Sequence, residues 1–336
     1  MISENISLKP FNTFGINVIA KRFATFSNCK DLAGILNEKG DDRLLILGGG
    51  SNILFTGDFD GLVLKNEIKG FEIIDQDDAF AIVKAGAGEI WHEFVLFCIK
   101  NNLGGIENLS LIPGNVGAGP MQNIGAYGVE LREVFSHLEA YHIPSGEIHT
   151  FNQQQCEFGY RESIFKKKLK DQYIITNAFI KLTKKNHSIN TSYGIIETEL
   201  ANMNISDPTI EDVSNAVIQI RRRKLPDPLK IGNAGSFFKN PIVPEHTLLK
   251  IQSTFENVPN YPAPNGNVKL AAGWLIEQAG WKGKTFGEYG VHENQALVLV
   301  NYSNASGKQL FDLSEEIVKD VYQKFGLTLE REVNIL

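Results

Sequence analysis

Mixed α and β structure over two or three domains is what this sequence predicts. Three observations carry the expectation. The chain has 336 residues, and domains run at roughly 150 residues each. Short apolar runs end repeatedly in glycine: Leu44-Leu45-Ile46-Leu47 before Gly48-Gly49-Gly50, and Ala81-Ile82-Val83 before Gly86-Ala87-Gly88. That is the pattern of buried strands closed by turns. Elsewhere apolar residues return at three- and four-residue spacing, the mark of a helix with one buried face.

The elements follow in order. Ile53-Leu54-Phe55 and Gly61-Leu62-Val63-Leu64 add short strands. Trp91, Phe94, Val95 and Cys98 share one face of a helix over 91–101. Residues 102–128 read as one long Gly/Asn/Pro loop, a length that is uncommon in a compact domain and usually functional. Tyr173-Ile174-Ile175 and Ala178-Phe179-Ile180 read as a strand. A helix over 209–223 opens on Thr209 with Asp212 three residues on, an imperfect capping box, and closes before Pro226 and Pro228. Leu270, Trp274, Leu275 and Ala279 form a helical face stopped by Gly280. Residues 296–300 read as a strand. Leu310, Leu313, Ile317, Val321 and Phe325 mark a last helix with Gly326 at its end. The chain then alternates from Leu327 to Ile335 as a final strand. Linkers are expected near 183–190 and 225–230.

Composition excludes several classes. Net charge is −6, from 33 Lys+Arg and 39 Asp+Glu, which argues against a general nucleic-acid binder. No apolar run approaches the ~20 residues needed to span a bilayer. The first residues lack the basic and apolar regions of a secretory signal. Cys29, Cys98 and Cys156 show no CxxC spacing, which fits a reducing cytoplasm and gives no zinc site. The seven histidines include no HxxxH pair, so no metal centre is expected.

Glycine is the unusual entry in the composition. Of 31 glycines, 15 fall between residues 48 and 128. Glycine lets backbone approach a ligand closely, so this region is expected to wrap something. Gly48-Gly49-Gly50-Ser51-Asn52 can form an anion nest. No Lys-Ser/Thr follows it, and a strand follows instead of a helix, so it matches neither a Walker loop nor the dinucleotide fingerprint. Alone it is a weak signal beside an ordinary tight turn. The run from Ile112 to Gly128 offers bare backbone to a flat ring or a pyrophosphate, or else forms a surface Ω-loop. Arg161, in Gly159-Tyr160-Arg161-Glu162-Ser163, could clamp a carboxylate or stabilise an enolate; from the pentapeptide alone, an ion pair with Glu162 is the plainer reading. Ser236 lies in a glycine-flanked turn without the hydrolase elbow pattern, and turns are where serine ordinarily serves. Phe237 and Phe238 read as core. Glu332 stands on the polar side of the last strand, where most glutamates are simply solvated.

Taken together, these segments resemble the UDP-N-acetylenolpyruvoylglucosamine reductases, flavoenzymes of peptidoglycan precursor synthesis. The resemblance begins at Leu8-Lys9-Pro10-Phe11-Asn12-Thr13-Phe14-Gly15. It runs through 47–55, Gly86 to His92, 112–128, 159–166, 224–228 and 232–241. It closes at 269–277, Gln295-Ala296-Leu297-Val298 and Leu329-Glu330-Arg331-Glu332-Val333. Ser192-Tyr193-Gly194 is similar to the tyrosine loop of the type I form.

The resemblance implies an α+β chain. A two-lobed FAD-binding domain of the vanillyl-alcohol-oxidase (PCMH) type would occupy 1–66 and 67–214, with a smaller α+β substrate domain over 215–336. It implies non-covalent FAD, NADPH as co-substrate, a UDP-sugar enolpyruvyl ether as substrate, and a cytoplasmic monomer. NADPH would reduce FAD and leave. Flavin N5 would then pass hydride to C3 of the substrate, and C2 would be protonated. Ser236 resembles the proton donor, and Arg161 with Glu332 the pair that polarises the carboxylate. Tyr193, Lys224, Asn240 and Gln295 match positions that hold UDP, with Tyr160 and Arg221 as further contacts. Gly48, Gly49, Gly50, Ser51 and Asn52 match the FAD diphosphate cradle. Pro113, Gly114, Gly117, Ala118, Gln122, Asn123, Ile124 and Gly128 lie in the flavin-wrapping segment. The chain departs from the pattern at Ala118-Gly119, where serine is common, and at Asn334, where arginine is usual. Two other readings compete: another FAD-dependent oxidase of this fold, and a nucleotide-binding module without activity.

Overall fold

The computed structural model describes residues 1–336. The chain divides into two compact units. The first is Met1–Ile6, Ala20–Gly49 and Asp60–Arg223; the second is Ser7–Ile19, Gly50–Phe59 and Lys224–Leu336. Both expected flavin lobes thus contribute mainly to the first unit.

The first unit carries two sheets. One has β1 (Ser3–Ser7), β2 (Ile19–Phe26), β3 (Leu44–Leu47) and β4 (Phe59–Asn66) in the order β1-β2-β4-β3. β3 and β4 run parallel, and helix α1 (Cys29–Asn37) buries Leu32 and Ile35 in the core they share. The other sheet holds β5 (Phe71–Gln76), β6 (Phe80–Gly86), β7 (Phe135–His142), β8 (Ile148–Asn152) and β9 (Tyr173–Thr183), ordered β8-β7-β9-β6-β5. All its pairings are antiparallel. Leu138, Ala178 and Ala85 stand opposite one another across three strands and are all buried. Helix α2 (Trp91–Lys100) adds Trp91, Phe94, Val95 and Cys98 to the same core. This is the face its spacing predicts.

The glycine-rich run is more ordered than a loop. It contains a one-turn helix at Glu107–Leu109, a short helix at Ala118–Gln122 and a hairpin pairing Gly125 with Glu130. Proline within the first turn removes only a donor that a helix start leaves unused, so Pro120 is tolerated. Helix α3 (Gly194–Asn202) and helix α4 (Ile210–Lys224) follow. Thr209 and Asp212 cap α4 reciprocally, Asp212 Oδ2 accepting from Thr209 N at 2.9 Å and Thr209 Oγ1 from Asp212 N at 3.2 Å.

In the second unit, Asn12 is buried and folds the 8–16 stretch around itself. Its Nδ2 donates to the Leu8 and Ile16 carbonyls at 2.8 and 2.9 Å, and its Oδ1 accepts from Ile16 N at 2.9 Å. The long C-terminal helix α5 (Gly307–Phe325) starts on a Ser306–Gln309 capping box and stops at Gly326, whose φ of 70° suits glycine. It buries Leu310, Leu313, Ile317, Val321 and Phe325.

The final stretch departs from the expectation. Leu327, Leu329 and Val333 are buried, so the alternation is real. Only Asn334–Ile335 forms a regular strand, parallel to Ile53–Leu54. The reason lies in its partner. Residues 330–332 pair with the irregular turn at 237–239: Lys239 N donates to Glu330 O and Glu332 N to Phe237 O, both at 2.8 Å.

Candidate active site

Arg161 sits on a turn in the first unit with φ of +55°, a left-handed conformation that side chains rarely adopt. Such strain persists only where the surroundings over-determine it. Here three side-chain bonds tie the turn to the 118–130 segment. Asn123 Nδ2 donates to Gly159 O at 3.0 Å, Arg161 Nη2 to Gly125 O at 2.8 Å, and Ser163 Oγ to Met121 O at 2.7 Å. Gly159 and Glu162 close the turn by an antiparallel bridge. Glu162 pairs with Lys167 at 2.8 Å. The Arg161 guanidinium also lies 5.6 Å from the Tyr160 ring.

Asn123 is fully buried, and its side chain is committed within the protein. Nδ2 also reaches Glu130 Oε2 at 2.9 Å, and Oδ1 accepts from Arg132 N at 3.0 Å. Ile124 is buried in the hydrophobic core. Both therefore shape the 112–128 segment from behind. Tyr193 is 40% exposed and meets the Tyr127 ring edge to face at 5.6 Å. Arg221 bonds inward, to the Tyr127 hydroxyl and, through Nε, to Leu111 O at 3.2 Å. Burial lowers its pKa, and Tyr127 partly offsets that. Lys224 is the last residue of α4 and is exposed.

In the second unit, Ser236 follows Gly235, whose φ is +68°. Buried Asn233 builds the turn: its Oδ1 accepts from Gly235 N at 3.0 Å, and its Nδ2 donates to Ile231 O at 2.8 Å and Pro226 O at 3.2 Å. Ser236 bridges Val298, and Phe237 N donates to Leu297 O at 2.8 Å. On the other side Phe237 O accepts from Glu332 N. Phe237 and Phe238 are buried, as expected. The turn thus brings the residue next to Ser236 onto the extended stretch that carries half-buried Glu332.

Asn240 and Gln295 belong to the same neighbourhood. Asn240 Oδ1 accepts from Ala272 N at 2.9 Å, at the start of the helix Ala272–Gln278. A side-chain carbon at Gly273 would lie 2.9 Å from Gln295 Oε1. Asn52 Nδ2 donates to Glu332 O at 3.2 Å. Asn334 donates through N and Nδ2 to Asn52 O at 3.1 and 2.9 Å.

The cofactor segments can be tested against FAD. Gly49 is exposed and packs on the segment expected to wrap the flavin; a side-chain carbon there would lie 2.7 Å from Asn115 Oδ1 and 3.0 Å from Gly114 Cα. Gly50, with φ of +61°, instead packs against Phe11 O, which a side-chain carbon would meet at 2.0 Å. So the two stretches assigned to one cofactor touch, although they lie far apart in sequence. Neither 48–52 nor 112–119 carries a charged side chain. Pro113 and Ala118 are exposed beside them. A diphosphate and a flat ring would meet backbone and small side chains there, and the residues fit the group.

Ser163, Asn108 and Asn233 escaped the sequence reading, as did the part that Asn123, expected at the cofactor, plays in holding the Arg161 turn. Asn108 is buried and donates to Asn190 O at 2.9 Å and Tyr127 O at 3.1 Å, which holds the approach to Tyr193. Only Asn233 left a local signal, an Asn two residues before a glycine.

No helix is long and apolar enough to cross a membrane. No group of three metal-ligating side chains is present.

Comparison with known proteins gives a consistent result. Residues 227–336 match the C-terminal domain of UDP-N-acetylenolpyruvoylglucosamine reductase, and residues 21–152 match an FAD binding domain. A UDP-N-acetylenolpyruvoylglucosamine reductase of Flavobacterium johnsoniae is 54% identical over 335 residues, covering 100% of this chain and 99% of the relative. One from Amoebophilus asiaticus is 48% identical over 100% of this chain and 99% of the relative. The crystal structure of the enzyme from Thermus caldophilus superposes with a TM-score of 0.68 at 21% identity, over 100% of this chain and 99% of that one, and shows the shared fold. The chain belongs to the UDP-N-acetylenolpyruvoylglucosamine reductase family, flavin-dependent oxidoreductases with FAD as cofactor and NADPH as co-substrate.

Proposed function

We propose that this chain reduces the enolpyruvyl ether of UDP-N-acetylglucosamine to UDP-N-acetylmuramate, using Ser236, Arg161 and Glu332 for the chemistry. The observation that carries the residue assignment is the pairing of 237–239 with 330–332, which brings the residue next to Ser236 onto the Glu332 backbone. FAD, when bound, takes two electrons from NADPH and supplies hydride to C3 of the substrate. Gly48 to Asn52 would hold its diphosphate. Pro113, Gly114, Gly117, Ala118, Gln122 and Gly128 would line the ring, with Asn123 and Ile124 supporting them.

The protein's own residues manage charge and protons. Hydride addition at C3 leaves negative charge at C2, delocalised into the carboxylate. Arg161, aimed by its strained turn, stabilises that charge electrostatically. Glu332 helps when it holds or shares a proton, since a bare carboxylate would repel the enolate. Ser236 Oγ gives its proton to C2 and regains one from solvent. Tyr193, Lys224, Asn240, Gln295 and Tyr160 hold the UDP moiety. Arg221 supports Tyr127 and Leu111 rather than reaching substrate, a role its inward bonds favour.

The chain acts in the cytoplasm, as a monomer, without nucleic acid. Its three cysteines are unpaired, and burial pushes the Cys156 thiol up to about 12, consistent with inert thiols in a reducing compartment. In the absence of oxygen, the FAD-loaded protein is expected to go on oxidising NADPH after its flavin is reduced only when the enolpyruvyl nucleotide is present, and to yield a product heavier by two hydrogens. NADPH oxidation that ignores this substrate would contradict the reading. Sedimentation of the loaded protein as a dimer would overturn the monomer.

A further inference from the structure

The segment that wraps the cofactor hangs on the start of α2. Trp91 Nε1 donates to Leu109 O at 2.9 Å and Trp91 N to Gly114 O at 3.0 Å. Val116 N donates to Glu89 O at 2.8 Å and Gly117 N to Ala87 O at 2.9 Å. In the middle of this series stands Leu111, with φ of +59°. A leucine there is disfavoured by the contact of its side chain with its own backbone. Both of its peptide groups are held by side chains. Leu111 N donates to His92 Nδ1 at 3.0 Å, and Leu111 O accepts from Arg221 Nε at 3.2 Å. Arg221 also bonds the Tyr127 hydroxyl, and the Tyr127 ring packs on Tyr193.

We propose that His92 is a positioning residue: as an acceptor it locks Leu111 in the left-handed conformation, and so sets both the flavin-wrapping segment and the Arg221–Tyr127–Tyr193 arm. The inference rests on the functional reading above and extends it to a residue outside the chemistry. Accepting at Nδ1 requires the tautomer protonated at Nε2. A doubly protonated ring would turn a donor against the Leu111 N–H and release the lock. Two arginines of α4, Arg221 and Arg222, add to the cost of a charge on His92, while Glu93 on its own helix opposes them. Burial is the largest influence, and the imidazole pKa lies below its usual value. The sign follows. The lock is complete above the ordinary histidine range and is lost as pH falls through the lowered folded-state pKa.

The test compares His92→Asn, whose amide oxygen can accept in the place of Nδ1 and does not titrate in this range, with His92→Phe, which keeps a ring and removes the acceptor. Hydrogen exchange of the 109–117 amides is read on the FAD-free protein from pH 5 to 8, and KM for the enolpyruvyl nucleotide on the loaded enzyme. Wild type is expected to lose protection at Leu111 as pH falls, by up to about tenfold per pH unit between the ordinary histidine pKa and the lowered value of the locked state, and to level off below it. The His92→Asn variant keeps protection flat across the range, and the His92→Phe variant lacks it throughout. KM should rise about tenfold in His92→Phe and stay within about twofold in His92→Asn, the loss and retention of one hydrogen bond. Equal protection and equal KM in both variants would overturn the inference. If His92→Phe does not fold, a wild-type protection profile independent of pH overturns it alone. A wild type without substrate-dependent turnover would instead sink the functional reading and leave the exchange result standing.

Discussion

The turn that carries Arg161 and the turn that carries Ser236 solve one problem in two ways. Each is anchored by a buried asparagine making three hydrogen bonds. Asn123 bonds to nearby Glu130 and Arg132 and also to Gly159, 36 residues along the chain. Asn233 bonds only within seven residues, to Pro226, Ile231 and Gly235. The serine turn has a second anchor, the backbone bridges to 297–298 and 331–332. The arginine turn relies on side chains and holds a strained residue. A turn built on backbone bridges tolerates the loss of one side chain better than a turn built on side chains.

Mutations can break this comparison. The largest effect is expected at Arg161→Lys, which loses the planar fork and the bond to Gly125. Substrate turnover should fall by about 10²–10³, the scale for losing one transition-state donor, while FAD stays bound. Retained turnover would remove Arg161 from the chemistry. Next comes Asn123→Ala, which strands buried donors and acceptors and should cost about 2–3 kcal/mol in denaturant unfolding. Turnover should fall with it, because Gly159 is released beside Arg161. Asn233→Ala should cost about 1–2 kcal/mol and disturb turnover less. If Asn233→Ala proves the more damaging for activity, the contrast between the turns is wrong. The smallest effect is expected at Tyr193→Phe, which should raise KM by about fivefold, near the worth of one hydrogen bond, with kcat little changed. A larger fall in kcat would give Tyr193 a chemical role.

The legibility of the sequence follows the same division. Local devices are readable: the Thr209–Asp212 box, the Gly326 stop and the apolar face of α2 all match the structure. The region 102–128 reads wrongly as a structureless loop. Its segments are held by bonds to residues outside it: Leu109 and Gly114 to Trp91, Gly117 to Ala87, Met121 of the short helix to Ser163 and Gly125 of the hairpin to Arg161, which leave no local pattern. The alternation after Leu327 predicts burial correctly but not its pairing, since the partner is an irregular turn distant in sequence. Ser236, Arg161 and Glu332 are each ambiguous alone, and only the motifs taken together single them out. The glycines of 48–50 draw attention as ligand-facing. The structure adds that Gly49 and Gly50 must lack side chains to pass other backbone.

The central claim is that Ser236 protonates C2 and acts in the second half-reaction alone. It is tested most directly by reducing FAD-loaded Ser236→Ala protein with NADPH in the absence of oxygen, then mixing it with the enolpyruvyl nucleotide and following flavin absorbance. Bleaching by NADPH should proceed as in wild type. Return of the colour should be slower than wild type by about 10²–10⁴, the range for losing a proton donor. Return at the wild-type rate would contradict the account.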